Sequence, residues 1–153
     1  VIGGVHLHGP FNFGCETLNR TETQIVKPGT EQKMAKFSID RLKFADKGLI
    51  PAIAPPAGSG EVLMMAWMNE TSIRETLRTG HVTYWSRSRQ ELWRKGATSG
   101  HQQKLVSFRV DCDRDCLLVI VDQTGPACHT NRRNCFYTEV RDGEEIILLQ
   151  PEA

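Results

Sequence analysis

Leu49-Ile50-Pro51-Ala52-Ile53-Ala54, then Pro55-Pro56-Ala57-Gly58-Ser59-Gly60, then Glu61-Val62-Leu63-Met64-Met65-Ala66-Trp67-Met68 is the stretch that decides the fold class. Two apolar runs of strand length flank six residues of Pro, Ala, Gly and Ser. Those six favour a turn over a continued helix or strand, so the runs read as a hairpin. Directly after it, Asn69 is placed to cap a helix over Glu70 to about Arg78, with Ile73 and Leu77 on one face at i, i+4 and Gly80 as the stop. Working backwards, Asp46-Lys47-Gly48 is a turn leading into the first strand. Working forwards, Val82 to Ser86 and Leu105 to Val110 read as strands, and Leu117 to Val121, an unbroken apolar run, as a strand buried on both faces. Ile146 to Leu149 reads as a strand closing the sheet. The expected class is α+β, mainly antiparallel β with one or two short helices.

With 153 residues, 39% hydrophobic and 24% charged, the chain falls in the range of one ordinary globular domain. A domain of this size buries roughly 70% of the surface its unfolded chain exposes and needs no disulfide framework. Nineteen Lys and Arg against eighteen Asp and Glu leave a net charge of +1, which excludes a global basic field for unspecific nucleic-acid binding. No apolar run approaches the roughly 20 residues that span a bilayer, and the first ten residues lack a basic-then-apolar leader. No membrane partner is expected, and the expected location is cytoplasmic. Residues 1–33, with frequent Gly, Thr, Asn and Pro and no lasting period, read as a disordered or non-native extension. Met34 is the expected natural start and 34–153 a single domain. His6, His8 and Cys15 fall in the extension and receive no role.

Four of the five cysteines crowd into positions 112 to 135, and in a reducing compartment such a cluster points to metal binding or catalysis. In Asp111-Cys112-Asp113-Arg114-Asp115-Cys116, an extended backbone would put the three carboxylates on one face and Cys112 on the other. Three like charges on one face are made tolerable by a hard divalent cation such as magnesium. Further on, Cys128-His129 and Cys135 stand seven residues apart among polar residues. Three thiolates, Cys112, Cys128 and Cys135, would leave a zinc coordination position free for water, as a catalytic site requires. Cys116, in step with Leu118 and Ile120, reads as a small buried hydrophobe. Between Ser86 and Arg109 there are six Lys or Arg and one Glu, interleaved with hydroxyls and glycines, the groups that phosphates need.

Six segments together resemble the phosphoribosyl-AMP cyclohydrolases of histidine biosynthesis: Glu61 to Asn69, Tyr84 to Arg89, Leu92 to Gly96, Thr98 to His101, Asp111 to Asp113 and Ala127 to Thr130. The resemblance covers about Leu49 to Tyr137. It implies zinc on Cys112, Cys128 and Cys135, one per subunit and shared across an intertwined homodimer, and magnesium on Asp111, Asp113 and Asp115. The implied reaction is hydrolytic opening of the adenine ring of 1-(5-phosphoribosyl)-AMP between N1 and C6, the third step of the pathway. His129, beside a zinc ligand, is the first candidate for moving protons and His101 the second, because imidazole titrates near neutrality. Arg87, Arg89 and Lys95 would hold the two 5′-phosphates, and Ser99 and Gln103 would meet polar groups of the substrate. Two positions depart from the family pattern: Asn131, where Gly is usual, and Cys116, where a small residue is common. With Ala153 about eighteen residues past Cys135, the chain reads as the monofunctional form. The competing reading is a non-catalytic zinc-stabilised module that binds a nucleotide or RNA. A zinc deaminase lacks support, since its H-x-E and P-C-x-x-C pairing is absent.

Overall fold

Strands β1 (Ile50–Ala54) and β2 (Met64–Met68) form the expected antiparallel hairpin, with Ile50 opposite Met68 and Ala54 opposite Met64. The computed structural model that shows this describes residues 35–152; the expected extension and His6, His8 and Cys15 lie outside the described residues. Helix α1 (Glu70–Thr79) follows with a full capping box. The Asn69 side chain accepts the Ser72 amide, the Ser72 hydroxyl accepts the Asn69 amide, and Gly80 closes the helix at φ 70°. Its buried face is Ser72, Ile73 and Thr76, whereas Leu77 is 41% exposed. The i, i+4 pairing therefore names one core residue correctly and one wrongly, because the sheet covers the helix on the Thr76 side.

Strands β3 (Thr83–Ser86), β4 (Glu91–Arg94), β5 (Gln103–Val110) and β6 (Leu117–Gln123) complete a six-stranded sheet in the order β4-β3-β2-β1-β6-β5. All neighbours are antiparallel except β1 and β6, which run parallel with Ala52 opposite Leu117. Among the described residues the result is α+β with one α-helix. Ile50, Ala52, Ala54, Met64, Met68, Leu117, Val119 and Val121 are buried on one face of the sheet, with Ile73 and Tyr84. The expectation that β6 is buried on both faces is corrected: Leu117, Val119 and Val121 are buried, but Leu118 and Ile120 only half so. On β2, Met65 is likewise 43% exposed and Trp67 half-buried.

The closing strand is corrected as well. Strand β8 (Glu144–Ile147) pairs only with β7 (Thr138–Arg141), in a separate two-stranded ribbon. Asp142 and Gly143 at its tip both have positive φ, 53° and 83°, the two-residue turn that Asp-Gly favours because its twist matches the strands it joins. Among the described residues no helix is long and apolar enough to cross a membrane.

Candidate active site

Strand β4, the turn after it and the loop carrying Cys128 and Cys135 enclose a cleft of about 700 Å³. The turn is drawn in by Gly96, at φ 79°, where an added Cβ would lie 2.4 Å from the His101 backbone. His101 lines the cleft, and its ring lies where a Cβ on Gly125 would come within 2.6 Å. On the other side the chain folds tightly on itself: the Ala127 and Cys128 amides donate to the Arg133 and Arg132 carbonyls at 3.1 and 3.0 Å. Glu61, at the entry to β2, holds this loop through Arg133 and Asn134, each at 2.8 Å, and the Cys135 amide donates to the Leu63 carbonyl at 2.7 Å. From the outside, the Arg132 guanidinium donates to the Leu149 carbonyl and lies 4.2 Å from the Tyr137 ring, while the Asn131 amide reaches the Glu152 carbonyl. Asn131 adopts φ 60°, a left-handed turn of the kind that Gly favours and Asn tolerates.

Cys128 is buried and Cys135 more open, and the two thiols are close enough to share a hydrogen bond. Burial works to raise the Cys128 thiol. The Thr130 hydroxyl at 3.1 Å, the Thr130 amide, Cys135 and the charge of Arg132 outweigh it, and Cys128 ionises below its ordinary value. Cys135 is pushed up to about 11, first by desolvation and then by the Cys128 charge, with Lys95 pulling the other way. The pair therefore carries one thiolate far more readily than two, a condition that a soft divalent cation removes by binding both as thiolates. Cys112 lies on the turn between β5 and β6, exposed, and is not brought to this pair: among the described residues the only close group of three metal-ligating side chains is Asp111, Asp113 and Asp115.

Those three carboxylates offer oxygens within 4.8 Å of one another, but not by the alternation expected. Residues 111–116 are a turn, with Arg114 at φ 71° and the Asp111 carboxylate accepting the Cys116 amide at 3.1 Å. Asp115 is raised by its hydrogen bond to Asp111 and by repulsion from Asp113. For Asp111 desolvation is the largest single effect and works upward, but the Cys116 amide and the hydrogen bonds with Asp115 and Asp113 together outweigh it and hold the carboxyl low. Within the cluster Asp115 is therefore harder to ionise than Asp111. A hard cation that takes oxygen ligands and keeps several waters fits this set, and magnesium meets that description.

His129 is exposed and Ser99 accepts the His101 amide at 3.3 Å; both line the cleft, with Arg89 and Lys95. Arg89 is paired with Glu91 at 2.9 Å. Arg87 is not brought to this cleft: it lies 5.0 Å from the Trp67 ring, in a separate groove with Trp85. Gln103 is fully buried and accepts the Tyr84 hydroxyl at 2.7 Å. Arg94, exposed on the cleft wall, lies in the basic stretch and in the segment Leu92 to Gly96 but has no individual role in the sequence expectation; the signal that would have singled it out is its place at the end of the strand Glu91–Arg94.

The family model for phosphoribosyl-AMP cyclohydrolase matches residues 64–137, from the start of β2 to just past Cys135. Curated phosphoribosyl-AMP cyclohydrolases are similar over most of the chain. The one from Paracoccus denitrificans is 65% identical over 116 residues, 76% of this chain and 96% of its own length. That from Ruegeria pomeroyi is 67% identical over 115 residues, 75% and 97%, and that from a Jannaschia species 64% identical over 119 residues, 78% and 100%. The chain belongs to the phosphoribosyl-AMP cyclohydrolase family. Within this cyclohydrolase match lie the basic stretch, the acidic turn and both cleft cysteines, so the segments that build the cleft are those that carry the family likeness.

Proposed function

We propose that this chain opens the adenine ring of 1-(5-phosphoribosyl)-AMP between N1 and C6 by hydrolysis, the third step of histidine biosynthesis, as a cytoplasmic enzyme. The observation that carries the reading is the Cys128 and Cys135 pair facing a 700 Å³ cleft that two histidines and unburied cations also line. N1 substitution makes the adenine ring cationic and C6 electrophilic. Zinc on the thiolates would lower the pKa of a water toward neutrality and so supply the nucleophile. His129, exposed beside Cys128, takes the water's proton, and His101, held against Gly125, delivers one to the departing nitrogen. Arg89 and Arg94 hold phosphate from the cleft wall and Ser99 a ribose or phosphate oxygen; Arg87, standing on Trp67, reaches a phosphate from the adjoining groove. Magnesium on Asp111, Asp113 and Asp115 would neutralise charge at the edge of the sheet.

A homodimer completes this site. Two thiols of one chain converge and Cys112 of the same chain stands apart, so the third zinc ligand is Cys112 of a second copy. The half-bare apolar face of the sheet, with Met65, Trp67, Leu118 and Ile120, supports the same association, since contiguous exposed apolar surface marks interaction sites. The test is turnover of phosphoribosyl-AMP by the purified chain before and after chelation and with zinc restored. Lost turnover with the fold intact, recovered by zinc, supports the enzyme. Full turnover in the chelated protein refutes the zinc reading, and absence of turnover in zinc-loaded protein leaves the binding module in its place.

A further inference from the structure

Lys95 is the one buried charged side chain among the described residues, 7% exposed, and none of their ion pairs includes it. Its amide is fixed to the Val82 carbonyl at 3.0 Å and its ammonium lies 5.9 Å from the Trp93 ring. A buried cation is costly unless a group of opposite charge answers it. No carboxylate among the described residues pairs with it; Lys95 instead lines the same cleft as Cys128 and Cys135, and while desolvation, the larger effect, lowers its pKa, the charges of Cys135 and Cys128 favour its ionised form. Three thiolates on one divalent ion carry a net negative charge, which needs a cation beside it in a partly dry site.

Resting on the zinc reading above, we propose that Lys95 is a positioning residue of the thiolate site: its buried charge balances the excess negative charge of the three-thiolate zinc and so tightens metal binding. This differs from the phosphate-holding role that the basic stretch led us to expect. A phosphate clamp must present its charge to an incoming ligand, as the exposed Arg89 and Arg94 do, whereas Lys95 borders the same cleft with only 7% of its surface exposed. Groups that act on a metal from behind its ligands change its affinity about 10–100-fold when removed.

The test is zinc competition against a chromophoric chelator with the full chain as wild type, Lys95→Met, Lys95→Arg and Cys128→Ser. Lys95→Met is expected to bind zinc at least tenfold more weakly and Lys95→Arg within about threefold of wild type. Thermal unfolding adds a second readout whose sign depends on the metal. With zinc bound, Lys95→Met melts below wild type, and after chelation it melts at or above wild type, because the uncompensated buried charge is gone. If Lys95→Met yields no folded protein, Lys95→Gln replaces it on the same terms. Wild-type zinc affinity in the neutral variant, together with a raised KM, would overturn the proposal in favour of the phosphate role. Wild-type zinc affinity in Cys128→Ser would instead overturn the thiolate reading on which it rests.

Discussion

Tyr84→Phe removes a single oxygen from the interior, and its cost follows from what that oxygen serves. Tyr84 and Gln103 are both fully buried, the hydroxyl donates to Gln103 Oε1 at 2.7 Å, and Gln103 Nε2 has no protein partner among the described residues. Burial pushes the Tyr84 hydroxyl far up, so it stays a neutral donor. Without it, the whole Gln103 amide is left unanswered in the core, a penalty of about 1–3 kcal/mol. At roughly 4 °C per kcal/mol for a domain of this size, the melting temperature should fall by roughly 4–12 °C. Gln103→Met alone should cost a similar amount by orphaning the hydroxyl. The double variant Tyr84→Phe/Gln103→Met leaves neither group unpaired and should return to within about 1 kcal/mol of wild type. Urea unfolding at fixed protein concentration measures this as a midpoint shift at constant slope. A double variant that loses the sum of the two single losses would refute the argument. The same protein separates structure from substrate binding: its KM should be unchanged, and a large rise in KM would restore to Gln103 the substrate role expected from sequence.

Gly125→Ala should lower turnover with the fold retained, because its Cβ would lie 2.6 Å from the His101 ring and displace it; circular dichroism with a turnover assay checks this, and unaltered turnover would show that the ring position does not matter. Cys116→Ala should keep zinc content and activity, since Cys116 is half-buried on β6's approach and its thiol is pushed up by desolvation and by Asp111; metal analysis reads the result. In the acidic turn, Asp115 ionises above and Asp111 below the ordinary carboxylate value. A raised folded pKa means the charged form is disfavoured, so magnesium, which needs that form, should bind more weakly as pH falls toward Asp115's elevated value and should release a proton on binding there. Calorimetric titration in buffers of different ionisation enthalpy measures it, and pH-independent magnesium affinity across that window would contradict the raised Asp115.

The hairpin of β1 and β2, the capped helix and the apolar run of β6 were legible because each is a local device. Alternation, a side-chain cap and a Gly stop depend on residues a few positions apart. Residue type singled out Cys128, Cys135, His129 and the three aspartates, and the structure places the first three on one cleft and the three carboxylates within 4.8 Å of one another. Strand β4 was not, because Glu91-Leu92-Trp93-Arg94 owes its extended form to pairing with β3 rather than to its own pattern. The ribbon of β7 and β8 left a signal in Asp142-Gly143, which the reading passed over in favour of its apolar residues.

Three matters were decided only in the tertiary structure. Carboxylates that strand alternation was expected to align are gathered by a turn, because the chain reverses between β5 and β6 and Arg114 takes a left-handed conformation there. Gln103 and Lys95 are buried although as residue types they read as exposed polar residues, since burial is set by elements distant in sequence: Tyr84 of β3 meets Gln103, and Lys95 is bonded through its backbone to Val82. Sequence by itself determined which groups are present and which short segments fold as strands or helix. The tertiary structure decided which groups share a volume: the loop of Cys128 and Cys135, closed on itself by its own backbone bonds, meets the turn after β4, while Cys112 stays on the turn between β5 and β6, because which distant segments meet depends on the register of the whole sheet rather than on any local preference.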